Sequence, residues 1–273
     1  MMTVQSRRER IERIAASEGE VSFEDLATEF GVSLMTIRRD VEHLQAKGVI
    51  RKVLGGVIAV KGTSVEPPFA SRAAEHSNGK QLIAEATVEL LESGETVLID
   101  SGATALAVAR EIKGKGLALT VLTPSLPVAI ELVDEPGTTV IVTGGVVRPG
   151  ELSLIGTQPE AVFSQYNCDT YIMGVAGIDA ERGATDYHLL EAAVKRAAIH
   201  CSERVVCVAG AEKLDQVRLA NVAALQDIAV IVTDGVGDNA TLQAASSSGV
   251  RVICVGPDEA ESSAPSDPRT PDI

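Results

Sequence analysis

The sequence predicts an α/β protein in two units: a small helical N-terminal unit closed by a β-hairpin, then a larger unit with a mainly parallel sheet. Three observations predict it. Residues 5–60 hold helix patterns followed by a hairpin signal. From Glu95 onward, short β-branched runs alternate with helix patterns, an order that buries a parallel sheet under helices on both faces. The length of 273 residues exceeds one typical domain, and 45 % apolar content is ample for two cores. Aromatics are only 3 % and tryptophan is absent, so those cores are aliphatic.

The elements follow in order. Residues 7–18 read as a first helix with Ile11, Ile14 and Ala15 facing inward. Ser22 is a good N-cap for a second, with Asp25 in its first turn and Phe23, Leu26, Ala27 and Phe30 on one face. Gly31 stops it, since glycine takes the left-handed conformation cheaply. Ser33 caps a third helix that runs to Lys47 and ends at Gly48. On that helix Leu34, Ile37, Val41 and Leu44 form a stripe expected to face a core. Met35, Thr36, Arg39 and His43 lie opposite, with Arg38 at the flank. Such a helix suits a DNA major groove or, alternatively, an ordinary solvent-facing hairpin. Residues 49–60 favour DNA: two β-rich runs around Gly55-Gly56 form a hairpin, with Arg51 and Lys52 placed to grip phosphates as a wing. The expected DNA-contacting set is Ser33, Met35, Thr36, Arg38, Arg39, His43, Arg51 and Lys52.

The run Val-Ser-x-x-x-Leu-Ala-x-x-Phe-Gly-Val-Ser-x-x-Thr-Ile-Arg-Arg-Asp-x-x-x-Leu at 21–44, with Arg8 before it and Gly48 and Gly55-Gly56 after, resembles the winged helix-turn-helix of the DeoR family of bacterial transcription regulators.

Charge is divided between the units. Residues 1–60 carry nine basic and nine acidic side chains, so the whole net charge of −14 lies beyond them. An acidic second unit would be held away from DNA. Residues 61–74, with Gly62 and Pro67-Pro68, read as a linker; 71–78 is polar and without clear pattern. Lys80–Glu92 opens the larger unit, 75–255, as a helix. Strands are expected at Thr96–Ile99, Leu119–Leu122, Thr139–Val142, Thr170–Val175, Val205–Val208, Ala229–Val232 and Val250–Cys254. Helices are expected at Thr104–Lys113, Ser125–Val133, Gln158–Gln165, His188–Ser202, Leu219–Leu225 and Ala240–Ser246. Residues 256–273, rich in proline and poor in apolar side chains, predict a disordered tail.

Ligands of open α/β sheets bind beyond the carboxyl ends of the strands. After Thr96–Ile99 comes Asp100-Ser101-Gly102-Ala103-Thr104, leading into a helix. Small residues, two hydroxyls and a helix N-terminus make a phosphate seat, or merely a capped turn. Asp100 there would accept from a sugar hydroxyl. Thr123, Gly144-Gly145 with Arg148, Gly174–Gly177 and Gly183–Asp186 follow other strands and suggest a pocket. Glu191 and Lys195 lie one turn apart, as a pocket pair or a surface ion pair, and Lys213 would reach the same pocket.

These stations also resemble the DeoR-type sensor domain over 75–235, itself similar in fold to ribose-5-phosphate isomerase and glucosamine-6-phosphate deaminase. The matching residues are Lys80, the Asp100–Thr104 loop, Gly144-Gly145, Arg148, Gly156, Asp169, Gly177–Asp179, Glu191, Lys195-Arg196, Lys213 and Thr233-Asp234. The resemblance implies a phosphorylated sugar or related intermediate as effector, held by Lys80, Asp100, Ser101, Gly102, Ala103, Thr104, Thr123, Gly145, Arg148, Glu191, Lys195 and Lys213. Three departures bear on its identity: Ala103 where a second threonine is frequent, Pro124 for asparagine, and Gly210-Ala211-Glu212-Lys213 for Asp-x-Ser/Thr-Lys.

The function expected is therefore a repressor of a carbohydrate-catabolic operon, released from double-stranded operator DNA by a sugar phosphate. Symmetric operators imply a homodimer or tetramer. The alternative is a sugar-phosphate isomerase or deaminase with an accessory DNA-binding unit, with Asp100, Glu191 or Lys213 as acid or base. No catalytic residue, cofactor or metal is predicted for the regulator. Cys168, Cys201, Cys207 and Cys254 lack metal-ligand spacing and read as reduced, mostly buried thiols. No apolar run approaches the ~20 residues of a membrane span, and the N-terminus lacks the apolar stretch of a signal peptide, so a cytoplasmic protein is expected.

Overall fold

A computed structural model describes residues 3–46, 48–59, 62–236 and 238–256. Lys47, Val60, Lys61 and the expected tail beyond Gly256 lie outside the described residues.

The N-terminal unit is α1 (Val4–Glu18), β1 (Glu20–Ser22), α2 (Phe23–Phe30), α3 (Leu34–Ala46), β2 (Ile50–Val53) and β3 (Gly56–Ala59). Ser22 Oγ accepts from the Asp25 amide at 3.0 Å and Gly31 ends α2 at φ +61°, as its sequence demands. Ser33 Oγ likewise accepts from the Thr36 amide at 3.2 Å at the start of α3. Strands β2 and β3 pair antiparallel through a turn at Leu54-Gly55. Strand β1, too short to announce itself in sequence, adds to β3. Ile11, Leu26, Ile37, Val41, Leu44, Ile50 and Val57 make one core.

One expectation for α3 is corrected. Leu34 is 40 % exposed rather than in the core stripe, because it sits in the first turn, beyond the packing of α1. Asp40, one residue from Val41, is buried instead. Arg7 Nε donates to its Oδ2 at 2.7 Å and Arg8 Nε to its Oδ1 at 2.8 Å. Two of the nine basic residues of this unit therefore clamp α1 to α3.

The larger unit continues with α4 (Phe69–Ala74), α5 (Ser77–Val88), β4 (Thr96–Ile99), α6 (Ala103–Ile112), β5 (Thr120–Thr123), α7 (Leu126–Leu132), β6 (Thr139–Val142), β7 (Val146–Val147), β8 (Leu154–Ile155), α8 (Thr157–Phe163), β9 (Cys168–Gly174), β10 (Gly177–Asp179), β11 (Gly183–Asp186), α9 (Leu189–His200), β12 (Ser202–Val208), β13 (Ala220–Ala223), β14 (Val230–Thr233), α10 (Ala240–Ser247) and β15 (Arg251–Cys254). Seven strands form a parallel sheet in the order β15-β14-β12-β9-β4-β5-β6. Alternate side chains feed two cores: Val97, Ile99, Ile172 and Val206 meet one helical layer, Leu98, Tyr171, Met173 and Cys207 the other.

The expected helix Leu219–Leu225 is instead strand β13 followed by a short 3-10 turn, Leu225–Asp227. Its Ala-Leu composition favours helix locally, but antiparallel pairing with β11 decides the outcome. The small sheet β10-β11-β13 stands outside the main one. The polar stretch 71–78 supplies most of α4 and the start of α5. Cys254 is exposed, against the expectation of mostly buried thiols, because β15 is an edge strand. Among the described residues no helix is long and apolar enough to cross a membrane.

From β4 the chain winds through β5 and β6 to one edge; β9, on the other side of β4, starts the progression to the opposite edge. The switch point therefore lies between β4 and β9, where the loops after the two strands part and leave a crevice.

Candidate functional site

Two surfaces carry the sequence-predicted residues. The first is the outer side of α3. Met35 is 57 % exposed, and Ser33, Arg38, Arg39 and His43 are also exposed. Thr36 is half-buried, its hydroxyl 3.0 Å from that of Ser33. The Arg38 guanidinium lies over the Phe23 ring at 5.9 Å, which orients it along the helix flank. On the wing, Arg51 is exposed, whereas Lys52 Nζ donates to Glu42 of α3 at 3.2 Å. Successive strand residues point to opposite faces, so the two basic side chains serve different sides of the hairpin. The arrangement is a polar helix with a hairpin braced beside it.

The second surface is a cavity of about 380 Å³ at the switch point. Its floor is the loop after β4. Gly102 precedes α6 at φ +110°, and no side chain caps the helix. Ser101, Gly102, Ala103, Thr104 and Ala105 line the space, so the uncapped first turn of a ten-residue helix opens into it with two hydroxyls. Gly174–Ala176, after β9, form the facing wall.

Asp100 holds this floor and does not offer a free carboxylate to a sugar, which corrects that expectation. Its Oδ1 accepts from the Ser101 amide at 2.8 Å; its Oδ2 accepts from the Gly174 amide at 3.0 Å and from Lys195 Nζ at 2.5 Å. Lys195 also donates to the Gly174 carbonyl at 2.6 Å and lies 3.2 Å from Asp186. Burial disfavours the Lys195 ammonium, but Asp100 and Asp186 outweigh it and hold its pKa above the ordinary lysine value. Neither Glu191 nor Lys195 is a surface residue, and each has other partners: Glu191 accepts from Arg148 at 2.9 Å and from Ser153 Oγ at 2.5 Å.

Lys80 and Lys213 both reach the cavity. Lys80 donates to the Glu75 carbonyl. Burial pushes the pKa of both lysines down and outweighs the carboxylates beside them, Glu212 above all. Thr123 and Gly145, expected to bind effector, do not line the cavity. The Thr123 hydroxyl donates to the Ile99 carbonyl at 2.7 Å and is buried. A Cβ on Gly145 would stand 2.8 Å from Pro159 Cδ, so this glycine serves a close approach. Arg148 stands behind the wall, between Glu191 and Glu66 at 2.7 Å.

Several cavity residues had no local signal in the sequence. Glu66, in the expected linker, pairs with Arg72 at 2.8 Å, and Arg72 also pairs with Glu151. Arg218 lies 5.1 Å from the Tyr187 ring. Glu12 of α1 and Val49, just before β2, complete the lining. The N-terminal unit and the connecting segment therefore wall the cavity together with the sheet.

Chemically, the site can hold an anion at α6 and polar groups elsewhere. Two carboxylates that could serve in acid–base catalysis, Asp100 and Glu191, are occupied by amides, a hydroxyl and cations.

A family model described as "DeoR C terminal sensor domain" matches residues 75–235, and one described as "DeoR-like helix-turn-helix domain" matches 7–63. The chain is 32 % identical to the HTH-type transcriptional regulator GlpR of Haloferax volcanii, covering 93 % of this chain and 98 % of that one. It is 32 % identical to the transcriptional repressor AccR of Agrobacterium fabrum (85 % and 90 %) and 31 % identical to the glycerol-3-phosphate regulon repressor of Escherichia coli K12 (81 % and 87 %). A ribose 5-phosphate isomerase from Methanocaldococcus jannaschii overlays with a TM-score of 0.39 at 13 % identity, over 51 % of this chain and 55 % of that one.

Proposed function

This chain belongs to the DeoR family of DNA-binding transcriptional repressors and is a regulator without enzymatic activity; from that premise we propose that it represses a carbohydrate-catabolic operon and releases its operator when a phosphorylated sugar or related intermediate fills the switch-point cavity. The observation that carries this reading is the uncapped N-terminus of α6, with Ser101 and Thr104, opening into a cavity that Glu12 and Val49 of the N-terminal unit help to close. The phosphate sits on the α6 amides, between Lys80 and Lys213. The remainder of the ligand lies toward Tyr187 and Arg218. A relative named for a glycerol-3-phosphate regulon supports an effector of this class.

Residues 5–60 read the DNA and 75–255 sense and oligomerise. Arg38, Arg39, Thr36, Ser33, Met35 and His43 meet the groove and its rim, and Arg51 meets a backbone phosphate, as does Lys52 once it leaves Glu42. The protein acts in the cytoplasm as a homodimer or tetramer, so that two α3 helices meet half-sites about one helical turn apart or a multiple of it.

Thermal unfolding tests the sensor. Ribose 5-phosphate, glucose 6-phosphate and glycerol 3-phosphate are compared with the unphosphorylated compounds. One phosphorylated compound stabilises the protein, by roughly 2.7 kcal/mol at 100 times its dissociation constant, and its parent compound does not. Ser101→Asp sets a fixed charge in the phosphate seat and abolishes the effect. Equal stabilisation by phosphorylated and free compounds would remove the phosphate seat.

A further inference from the structure

Outside the cavity and the DNA face, the structure brings two cysteines together across the seam where α9 meets β9. Cys168 opens β9, and Cys201 is the C-cap of α9. The Cys168 amide donates to the Cys201 carbonyl at 2.8 Å, and the next residue, Ser202, pairs with Cys168 in the parallel ladder. Cys201 also packs against the core cluster that holds Cys168. Their surroundings differ. Cys168 is buried, whereas Cys201 is partly exposed, with its sulfur 3.2 Å from the Ala198 carbonyl and 3.9 Å from Ser202 Oγ.

We propose that Cys168 and Cys201 form a redox site, a dithiol that a hydroperoxide converts to a disulfide, with Cys201 the attacking sulfur and Cys168 the resolving one. The Cys201 sulfur attacks the O–O bond. It is oxidised to a sulfenic acid, and the hydroperoxide is reduced to an alcohol, or to water when it is hydrogen peroxide. The Cys168 sulfur then attacks the sulfenic sulfur. The S–O bond breaks, the hydroxyl leaves as water with the Cys168 proton, and the S–S bond forms. Two electrons and two protons pass from the dithiol to the hydroperoxide.

Asymmetry within the pair fits these roles. The neighbouring Cys168 side chain draws the Cys201 thiol below its ordinary pKa, while Cys201 and burial push Cys168 up. The other cysteines lack this setting: burial holds the Cys207 thiol up at about 12, and Cys254 lies on the edge strand β15. Adjacent thiols in a chain with no disulfide framework are the pattern of a redox sensor rather than a structural staple. The position also has a target, because α9, whose C-terminus the disulfide would tie to β9, carries Glu191 and Lys195 at the cavity.

The test treats the reduced full-length protein with one equivalent of hydrogen peroxide, then alkylates and maps peptides. The expected result is a peptide linking Cys168 to Cys201, a mass loss of about 2 Da set by the removal of two protons and two electrons, and reversal by dithiothreitol. Cys168→Ser removes the resolving thiol, so Cys201 accumulates as a sulfenic acid trapped by dimedone. Should that variant fail to fold, the wild-type peptide map decides alone. Cys168 and Cys201 both alkylated as free thiols, with oxidation confined to Cys254, would overturn the proposal.

Discussion

The outer face of α3 and the switch-point cavity are built by opposite means. Everything α3 offers to DNA comes from one short helix whose faces are set by a 3.6-residue period. The cavity gathers residues from Glu12 to Arg218, drawn from several separate stretches of chain. Each region nevertheless rests on a buried carboxylate held by cations. Asp40 is gripped by Arg7 and Arg8, and Asp100 by Lys195. The difference teaches where charge is spent: under α3 the buried acid fixes a helix so that the exposed arginines stay free, whereas under the cavity it fixes a loop so that backbone amides stay free.

That comparison breaks first at Lys195. Lys195→Met would leave Asp100 and Asp186 buried without their cation. Stability should fall by about 3–5 kcal/mol, the usual cost of breaking a buried pair from one side, as read by urea denaturation. A loss below about 1 kcal/mol would mean that the floor is not built on this pair.

Asp40 and Arg39, adjacent in sequence, sharpen the contrast. Asp40→Ala should cost about 2–3 kcal/mol of stability, less than Lys195 because Arg7 and Arg8 can turn to water. Arg39→Ala should leave the unfolding midpoint unchanged and weaken specific operator binding by ~1–3 kcal/mol if it pairs with a guanine. Denaturation curves and gel shifts on both variants separate the roles; equal stability loss in both would erase the distinction.

The smallest effect concerns pH. Burial lowers the pKa of Lys80 and Lys213 in the empty cavity, and a bound phosphate favours their ammonium forms. Binding therefore takes up protons wherever the empty-state lysines are partly neutral. Affinity is complete at lower pH and falls as pH rises through those depressed values, which lie below the usual lysine value of about 10.4. Above about pH 8 the phosphate is already fully ionised, so a loss in calorimetric affinity as pH rises toward the ordinary lysine value reports the lysines. A flat profile would place the phosphate elsewhere.

How far the sequence reached follows from the same contrast. Ser22, Gly31 and Ser33 act on their own neighbours, so the caps and turns of the N-terminal unit were legible. The loop Asp100–Thr104 was legible as a turn into an open helix N-terminus for the same reason, since a helix N-terminus is a local object. The partners of Asp100 were not, because Lys195 meets it across 95 residues of chain. Glu66 looked like linker for want of Arg72 and Arg148, whose approach only the fold supplies. Leu219–Leu225 failed for a related reason: its strand exists only beside β11.

Filling the cavity should be felt at α3, through Glu12, Val49 and Glu66. The most direct measurement titrates operator DNA at one fixed salt concentration, with and without the sugar phosphate that gives the largest thermal shift, in wild type and Ser101→Asp. The account predicts that operator affinity falls 5–150-fold in wild type, a coupling of ~1–3 kcal/mol, that operator DNA weakens effector binding by the same factor, and that Ser101→Asp binds operator normally with or without the compound. Coincident operator curves in a wild-type protein shown to hold the compound would contradict it.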